Sequence, residues 1–310
     1  MQEVKEQRKA KEKEARKEKQ ELRRKEQMHK LQLLTEEERE NLKKQAQALL
    51  QERRGQHASK RSKLEHAQQH GPDLVIDLDF EGLMSGSELK HLCQQLCYSY
   101  SANGRVANPC HLHLVGFKGD VKEAAERQIN GLPNWVVTKT QDSLLHHFSQ
   151  RKDKLVYLTA DSETELDVLD ASSIYVIGGL VDHNRYKGLC QQRAQEAGIS
   201  TARLPIKKFV ELESRAVLTV NHVVQIMVEM FNRQDWKAVL DDVLPPRKRA
   251  GYHAAKTESK MRRKGGEDGC RVDVISDPTP CRTIREDVAE VEEVDAAEVI
   301  DEAAKVVDNK

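Results

Sequence analysis

Residues 174–187, IYVIGGLVDHNRYK, hold the side chains best suited to chemistry in this chain. Residues 174–177 form a short apolar run that predicts a buried strand, and Gly178-Gly179 allow the backbone to turn sharply without a Cβ in the way. Asp182 then precedes a polar and basic run. Open α/β sheets bind ligands just beyond the carboxyl ends of their strands, so this carboxylate is well placed for a site. An ordinary strand-to-helix turn has the same pattern.

A second group of small polar residues, 159–162, follows another apolar run. Residues 155–158 predict a strand, and the TADS sequence after it suits either a helix N-cap or a ligand contact. Cys93 and Cys97 lie one helical turn apart, but no second ligand pair follows at zinc-site spacing, which favours buried thiols. His111 and His113 share one strand face with no third ligand near them in the sequence. No metal site is therefore predicted.

The elements that must position these residues alternate between strand and helix over residues 72–246. This alternation predicts an α/β domain with a mostly parallel sheet. No strand is followed by G-x-G-x-x-G or by a P-loop, which argues against a dinucleotide-dependent oxidoreductase. Asp182 has no Ser/His or Cys/His set at recognisable spacing, which weakens a hydrolase interpretation. The predicted strands are 74–80, 111–117, 135–138, 155–158, 174–177 and 201–204, and the predicted helices are 87–100, a short one ending at 127, 142–150, 186–197, 218–231 and 236–244.

The charges of this 310-residue chain are balanced in number, with 51 Lys and Arg against 51 Asp and Glu, but segregated along the sequence. Residues 1–66 are rich in Lys and Arg, and their opposite charges at i,i+3 and i,i+4 spacing predict a long helix, broken near Thr35 and ended by Gly55. Its leucines are too sparse for a coiled-coil dimer. The helix is either a solvated charged element or an arm that contacts RNA backbone. Its most basic patch is Arg53, Arg54, Lys60, Arg61 and Lys63.

Targeting and membrane signals are weak in this sequence. No run approaches the roughly 20 apolar residues of a membrane span, so no membrane partner is expected. The charged N-terminus does not resemble a signal peptide, and its glutamates argue against a mitochondrial presequence. Six scattered cysteines indicate reduced thiols, which places the chain in the nucleus and cytoplasm. Residues 250–310 lack periodicity and predict a disordered tail that is acidic at its end.

Several segments together resemble one known family. YLTADS (157–162), YVIGGLVDHNRYKGL (175–189), ARLPI (202–206) and VLTVNHV (217–223) are similar, in order and spacing, to segments of the tRNA position-9 purine N1-methyltransferases. These are S-adenosyl-L-methionine-dependent enzymes of the SPOUT class. LVIDLDF near the domain start and WKAVLDDVLPPRK (236–248) near its end also match. The resemblance implies three parts: a charged helical RNA-binding extension (1–70), a SPOUT-like methyltransferase domain (71–249) and the tail (250–310).

The resemblance implies a fold that the residue pattern does not show. Connections in proteins are almost never knotted, so physics alone predicts an ordinary doubly wound sheet. The family instead threads the C-terminal part of the domain into a trefoil knot, with the cofactor bent among loops that correspond to 158–162, 178–190 and 204–220. The implied cofactor-binding residues are Leu158, Thr159, Gly178, Gly179, His183, Asn184, Arg185, Tyr186, Lys187, Cys190, Leu204 and Leu218.

The implied reaction is methyl transfer to N1 of guanosine 9 in tRNA, and adenosine 9 is the alternative substrate. Guanine N1 carries a proton that must leave, and a nearby carboxylate could accept it. Asp182 matches the family's presumed general base, and Asp77 is the second acidic candidate. A non-catalytic RNA-binding protein with the same fold is the alternative from another functional class. The chain is expected to act as a monomer on tRNA, with backbone contacts from Arg105, Lys118, Arg127, Arg185, Lys207, Lys208 and Arg215.

Overall fold

The structure, a computed structural model, describes residues 32–183, 185–210 and 218–244, with scattered residues between 11 and 29. The predicted tail, Asn184 and Arg215 lie outside these residues. The described chain divides into two compact units at Ser59 and Lys60. None of its helices is long and apolar enough to cross a membrane.

A long helix, α1, spans Glu36–His70. It begins after Thr35, where the predicted break lies: the Thr35 N–H donates to Glu38 Oε2 (2.8 Å), and the Glu38 N–H donates back to Thr35 Oγ1 (3.3 Å). The predicted end at Gly55 is wrong, because α1 continues through it. A glycine inside a helix costs only about 1 kcal/mol, which good helix formers on both sides outweigh. The residues of α1 from Lys60 on belong to the second unit, and among them Leu64 and Ala67 are buried.

Six parallel strands form one sheet in the order β3-β2-β1-β5-β4-β6. The predicted α/β fold with a parallel sheet is therefore confirmed. Each strand pairs with neighbours that are distant in sequence, and β5 lies between β1 and β4 with Asp77 opposite Gly178. The strands are β1 Asp73–Asp77, β2 His111–Val115, β3 Thr138–Lys139, β4 Leu155–Leu158, β5 Ile174–Gly178 and β6 Ser200–Ala202.

The remaining described α-helices connect and cover these strands. The helix predicted over 142–150 is a single turn, α4, followed by a 3₁₀ helix at Ser149–Lys154. The helix predicted from residue 186 begins later, because Gly188 has a left-handed backbone (φ 73°) that separates the preceding loop from the helix. These helices are α2 Gly86–Asn103, α3 Gly119–Gln128, α4 Leu144–His147, α5 Leu189–Glu196, α6 Ile206–Phe209, α7 Val220–Arg233 and α8 Trp236–Val243.

Both faces of the sheet are buried, as expected for a parallel sheet. Leu74 and Ile76 of β1 belong to a core shared with α2, α3 and α7, whereas Val75 points to the opposite face. Successive strand residues alternate between faces, so the continuous apolar runs of the sequence supply both cores. Packing on both sides fixes the strand ends, and with them the loops that follow.

Candidate functional site

A pocket of about 340 Å³ lies at the carboxyl edge of the sheet, beside the ends of β4 and β5. Its wall comes from the segments that follow β4, β5 and β6 and from the first turns of α5 and α7. This is where ligand sites form in open α/β sheets. Eight of the residues singled out in the sequence line it together: Leu158, Thr159, Gly178, Asp182, Tyr186, Cys190, Leu204 and Leu218.

Other residues singled out in the sequence do not line this pocket. Asn184 lies outside the described residues, so its position is not addressed. The lining also includes residues that the sequence reasoning missed, although nearly all of them neighbour a predicted position in the chain. They are Glu165, Ile177, Leu180, Gly188, Leu189, Arg203, Pro205, Ile206, Val220 and Val223. The lining further includes Ala160 and Asp161 of the TADS segment, which the sequence suggested as a ligand contact, and Lys207, which it suggested as a tRNA contact. The predicted residues that lie elsewhere are Gly179, His183, Arg185, Lys187 and Asp77.

The two glycines at the end of β5, Gly178 within the strand and Gly179 just after it, are required by protein packing. A Cβ on Gly178 would lie 2.7 Å from Cys190 Sγ, and a Cβ on Gly179 would lie 2.5 Å from Leu78 Cδ2 and 2.8 Å from the backbone oxygen of Asp77. The Gly179 N–H donates to that same oxygen at 2.7 Å. The glycines thus let the loop lie directly against β1 and α5 while the Gly178 backbone borders the pocket.

The carboxylate of Asp182 is oriented by its own loop. The Tyr186 N–H donates to Asp182 Oδ2 at 2.7 Å, and the Arg185 N–H donates to the Asp182 carbonyl at 3.1 Å. His183 between them has a left-handed backbone (φ 51°), which closes the turn. The local bonds alone are those of a capping aspartate, but Asp182 also lines the pocket, so its carboxylate is held at the pocket wall.

Arg185 fastens this loop to the start of α2. Its Nη2 donates to the Leu83 carbonyl at 2.9 Å and to Glu88 Oε2 at 3.1 Å, and its guanidinium lies 4.9 Å from the Tyr186 ring centre. The Ser85 backbone N–H, with help from Arg185, lowers the pKa of Glu88 to about 2. Arg185 thus holds the loop that carries Asp182 against the start of α2 and does not line the pocket, and its predicted contact with a cofactor stays a prediction.

A hydrogen bond also links the loop after β4 to the loop after β5. The Gly188 N–H donates to Asp161 Oδ2 at 3.2 Å, and both residues line the pocket. Asp161 ends the TADS segment's turn, where the sequence suggested either a cap or a ligand contact. The structure shows it bridging two of the three segments that form the wall.

Asp77 lies beneath the pocket, with 4% of its surface exposed. Its Oδ2 accepts a hydrogen bond from the Tyr157 hydroxyl (2.9 Å), and its Oδ1 accepts one from the Asp79 N–H (3.1 Å). Burial raises the pKa of Asp77, although the nearby Arg193 guanidinium opposes this. Asp77 is therefore buried and does not line the pocket, and its role as a second base candidate stays a prediction.

Three of the seven predicted backbone-binding cations, Lys118, Arg185 and Lys208, have acidic partners in the structure. Lys118 pairs with Asp79 at 3.0 Å, and Lys208 pairs with Asp167 at 2.8 Å. Arg105 donates to the Ser101 hydroxyl, and Lys207 borders the pocket. Arg215 lies outside the described residues. Any nucleic-acid contact by the paired lysines would therefore have to compete with a carboxylate on the protein.

A polar cluster lies at the opposite, amino edge of the sheet. Asp73, which begins β1, brings its carboxylate next to His111 and His113 of β2, and ligand-type atoms of all three lie within 4.8 Å of one another. The sequence shows no third potential ligand near these histidines, and the fold brings one, Asp73, from the neighbouring strand. The parallel register pairs Asp73 with His111 and places all three on neighbouring strands.

Comparison with known proteins gives a consistent result. Residues 1–249 match the family described as tRNA (guanine(9)-N(1))-methyltransferase TRM10/TRM10A. A tRNA (guanine(9)-N1)-methyltransferase of Schizosaccharomyces pombe is 40% identical over 177 residues, covering 56% of this chain and 58% of the relative. The tRNA methyltransferase 10 homolog A of Rattus norvegicus is 41% identical over 179 residues, covering 57% of this chain and 52% of the relative. This chain thus matches a little over half of each relative's length.

The fold also matches a solved structure. The full-length spTrm10–SAH complex superposes with a TM-score of 0.53 at 39% sequence identity. The match covers 56% of this chain and 94% of that one.

Proposed function

Because this chain belongs to the tRNA (guanine(9)-N(1))-methyltransferase TRM10/TRM10A family, we propose that it transfers a methyl group from S-adenosyl-L-methionine to N1 of guanosine 9 in tRNA. The observation that carries the proposal is the position of Asp182. Its carboxylate lies in the wall of a pocket formed by the segments after three parallel strands, where the family resemblance puts the cofactor. The similar spTrm10 structure contains SAH, the product of methyl donation.

The pocket residues fit a nucleoside bearing a charged sulfur. Leu158, Leu204 and Leu218 offer apolar surface for a base, while the carboxylates of Asp161 and Asp182 lie in the same wall. Carboxylates suit ribose hydroxyls and a sulfonium cation. We assign S-adenosyl-L-methionine to this pocket, where it supplies an electrophilic methyl group.

In the proposed mechanism Asp182 receives the N1 proton of the guanine base. Neutral guanine has no free lone pair at N1, so loss of this proton frees the electron pair that forms the new N–C bond. The Tyr186 N–H bond to Oδ2 holds the carboxylate at a fixed angle at the pocket wall. The fastening of this loop by Arg185 and Asp161 keeps that angle from varying, so positioning contributes to the rate.

We assign Asp77 a positioning role under this proposal. Its backbone oxygen anchors Gly179 at 2.7 Å, and its side chain ties Tyr157 of β4 to the end of β1. It therefore fixes the base of the loop that carries Asp182, without contact with the reacting atoms.

The direct test is methylation of an unmodified tRNA transcript. Purified protein is incubated with the transcript and methyl-labelled S-adenosyl-L-methionine, and the position is mapped by reverse transcription, because N1 methylation blocks Watson–Crick pairing. Wild type should give a stop at position 9. Asp182→Asn should reduce the rate by about 10²- to 10⁴-fold while tRNA affinity stays unchanged.

A transcript with adenosine at position 9 serves as the matched substrate control. Transfer to the guanosine transcript but not to the adenosine transcript supports the proposal. Equal transfer to both transcripts would broaden it to both purines. Tight tRNA binding without any transfer would overturn it in favour of a non-catalytic RNA-binding protein.

Three finer features are also proposed. The C-terminal part of the domain is threaded as a trefoil knot, which the family resemblance supports and an experimental structure tracing residues 203–220 would test. The chain works as a monomer, which sizing of the purified protein with tRNA would test. It works in the nucleus and cytoplasm. A tagged chain that is imaged in neither compartment would contradict this.

We also propose that residues 1–70 bind tRNA backbone. The support is the basic patch around Arg53 and Arg54, both exposed on α1. Each phosphate neutralised adds close to one unit to the slope of log affinity against log salt. Deleting residues 1–66 should therefore flatten that slope by about 2 to 4 units. An unchanged slope would remove the arm from the interface, and the tail (250–310) serves as the control deletion.

A further inference from the structure

The cluster of Asp73, His111 and His113, called here the Asp73 cluster, lies at the edge of the sheet opposite the pocket. His113 Nε2 is 2.8 Å from Asp73 Oδ1, and His111 Nδ1 is 3.3 Å from the same oxygen. The side chain of His113 is 5% exposed, and those of His111 and Asp73 are each 15% exposed. Two imidazole nitrogens thus converge on one carboxylate oxygen in a nearly water-free place.

In each member of the cluster, the side-chain nitrogen or oxygen that faces away from the other two also has a hydrogen-bond partner. His111 Nε2 is 2.8 Å from Thr138 Oγ1, His113 Nδ1 is 3.3 Å from His147 Nε2, and Asp73 Oδ2 accepts from Arg151 at 2.8 Å. Metal-binding histidines almost always have a hydrogen bond on the nitrogen that faces away from the metal, which fixes the ring. The Asp73 cluster has this second layer on all three members.

The protons can rearrange without leaving the protein. An ionised carboxylate can only accept, so hydrogen bonds from both near nitrogens to Asp73 require the tautomers in which the outer nitrogens accept from Thr138 and His147. A hydroxyl and an imidazole can each reverse from donor to acceptor. When both histidines change tautomer, their near nitrogens present lone pairs toward Asp73 while their outer N–H groups donate to the same two partners.

The charge states suit a cation as well. Although burial opposes it, hydrogen bonds from His111 and His113 and the nearby Arg151 hold the pKa of Asp73 well below its usual range. Burial lowers the pKa of His113 and of His147. An ionised carboxylate and an unprotonated imidazole are the forms of these side chains that bind metals.

We propose that the Asp73 cluster binds a zinc-type divalent cation through Asp73, His111 and His113. Two imidazoles and one carboxylate suit Zn²⁺, Co²⁺ or Ni²⁺ and not Mg²⁺, which prefers oxygen ligands. The fourth position is taken by water. The ion joins the first residue of β1 to β2, so its role is to stabilise the sheet at the edge away from the transferred methyl group.

The test uses the full chain, stripped with chelator and titrated with Zn²⁺ alone by calorimetry and thermal unfolding. Wild type should bind one Zn²⁺ at this site with a rise in Tm, and Mg²⁺ should give neither. His111→Gln and Asp73→Asn should each weaken Zn²⁺ binding by at least ~100-fold. His111 is more exposed than His113, so His111→Gln tests the site with less risk to folding. No Zn²⁺ binding by wild type, or equal binding by His111→Gln, would overturn the proposal.

Two control variants separate this site from other histidines. His66 and His70 lie one turn apart on α1 with ring centres 4.9 Å apart, which is itself a spacing that can hold a metal. His146 is exposed and contacts Asp142. Zn²⁺ binding should survive His66→Ala/His70→Ala and His146→Ala, and its loss in either would overturn the assignment.

Two further measurements distinguish a metal site from a hydrogen-bonded cluster. Co²⁺ should bind with weak visible absorption and without a sulfur-to-cobalt charge-transfer band, and such a band would assign the metal to cysteines instead. Arg151→Gln removes the positive charge beside Asp73 and should raise Zn²⁺ affinity roughly 3- to 10-fold. Unchanged or weaker affinity in Arg151→Gln would contradict a cation at this position.

Discussion

Gly179→Ala should destabilise the domain by steric conflict with the central strand β1. The added Cβ would lie 2.5 Å from Leu78 Cδ2 and 2.8 Å from the Asp77 carbonyl oxygen, where carbon atoms pack best at about 3.5–4.0 Å. The oxygen belongs to a strand paired on both sides, so it cannot move away. The loop must shift instead, which breaks the 2.7 Å bond from the Gly179 N–H.

The magnitude follows from these two effects. Overpacking in a dense interior costs about 1–3 kcal/mol, and loss of one backbone hydrogen bond adds about 1 kcal/mol. The free energy of unfolding should therefore fall by about 3 kcal/mol, with a lower Tm by roughly 6–12 °C for a domain of this size. Urea denaturation followed by circular dichroism measures it, with a lower midpoint and an unchanged m-value.

Gly178→Ala is the matched comparison because its conflict is with a single side chain. Its Cβ would lie 2.7 Å from Cys190 Sγ, and the next nearest atoms are at ordinary distances of 3.4 and 3.6 Å. Cys190→Ala should relieve that conflict, which gives a favourable coupling of about 1 kcal/mol or more in a double-mutant cycle. The reasoning is refuted if Gly179→Ala stays within about 0.5 kcal/mol of wild type, or if the Gly178/Cys190 cycle shows no coupling.

Three other changes test the neighbouring contacts. Tyr157→Phe removes the hydroxyl that donates to the buried Asp77 and should lower the free energy of unfolding by about 1.5–3 kcal/mol. A loss below about 0.5 kcal/mol in urea denaturation would contradict this. Asp73→Asn should destabilise the metal-free protein near neutral pH by about 3 kcal/mol. Because the folded pKa of Asp73 is lowered, its contribution is present above the ordinary value of 3.8 and lost as pH falls below it, so the gap between variant and wild type should narrow in acid. Arg185→Ala should weaken SAH binding in calorimetry with little change in Tm, because it releases the loop from Glu88. Lys187→Ala is the control. Equal SAH affinities of the two variants would contradict the role of Arg185 in holding the loop.

The strands were predictable where apolar runs are buried on both faces of the sheet. The strands predicted at 74–80 and 174–177 correspond to β1 and β5, although β1 ends three residues earlier, at Asp77. The run at 135–138 misled, because Trp135 stacks on Tyr100 with ring centres 4.4 Å apart and only Thr138–Lys139 pair with β2. Apolar residues buried by side-chain packing look like a strand in the sequence. The strand order could not be predicted, because it depends on pairings between distant residues.

The site was predictable in position and less so in the direction of its side chains. Residues that follow a strand end must lie at one edge of the sheet, so Asp182 and Thr159 were found from the sequence. Whether Arg185 points into the pocket or toward Glu88, 97 residues away, depends on tertiary packing. The same limit applied to Asp73, which lies 40 residues from His113 and meets it only through strand register.

The thiol of Cys190 has a consequence for the chemistry proposed beside it. A thiolate in the pocket would compete with guanine for an electrophilic methyl group, and its methylation would leave the enzyme permanently blocked. Burial raises the pKa of Cys190 to about 11, so at pH 7 only about one molecule in ten thousand carries the reactive anion. The same burial that makes Gly178 necessary thus protects the protein from alkylating itself.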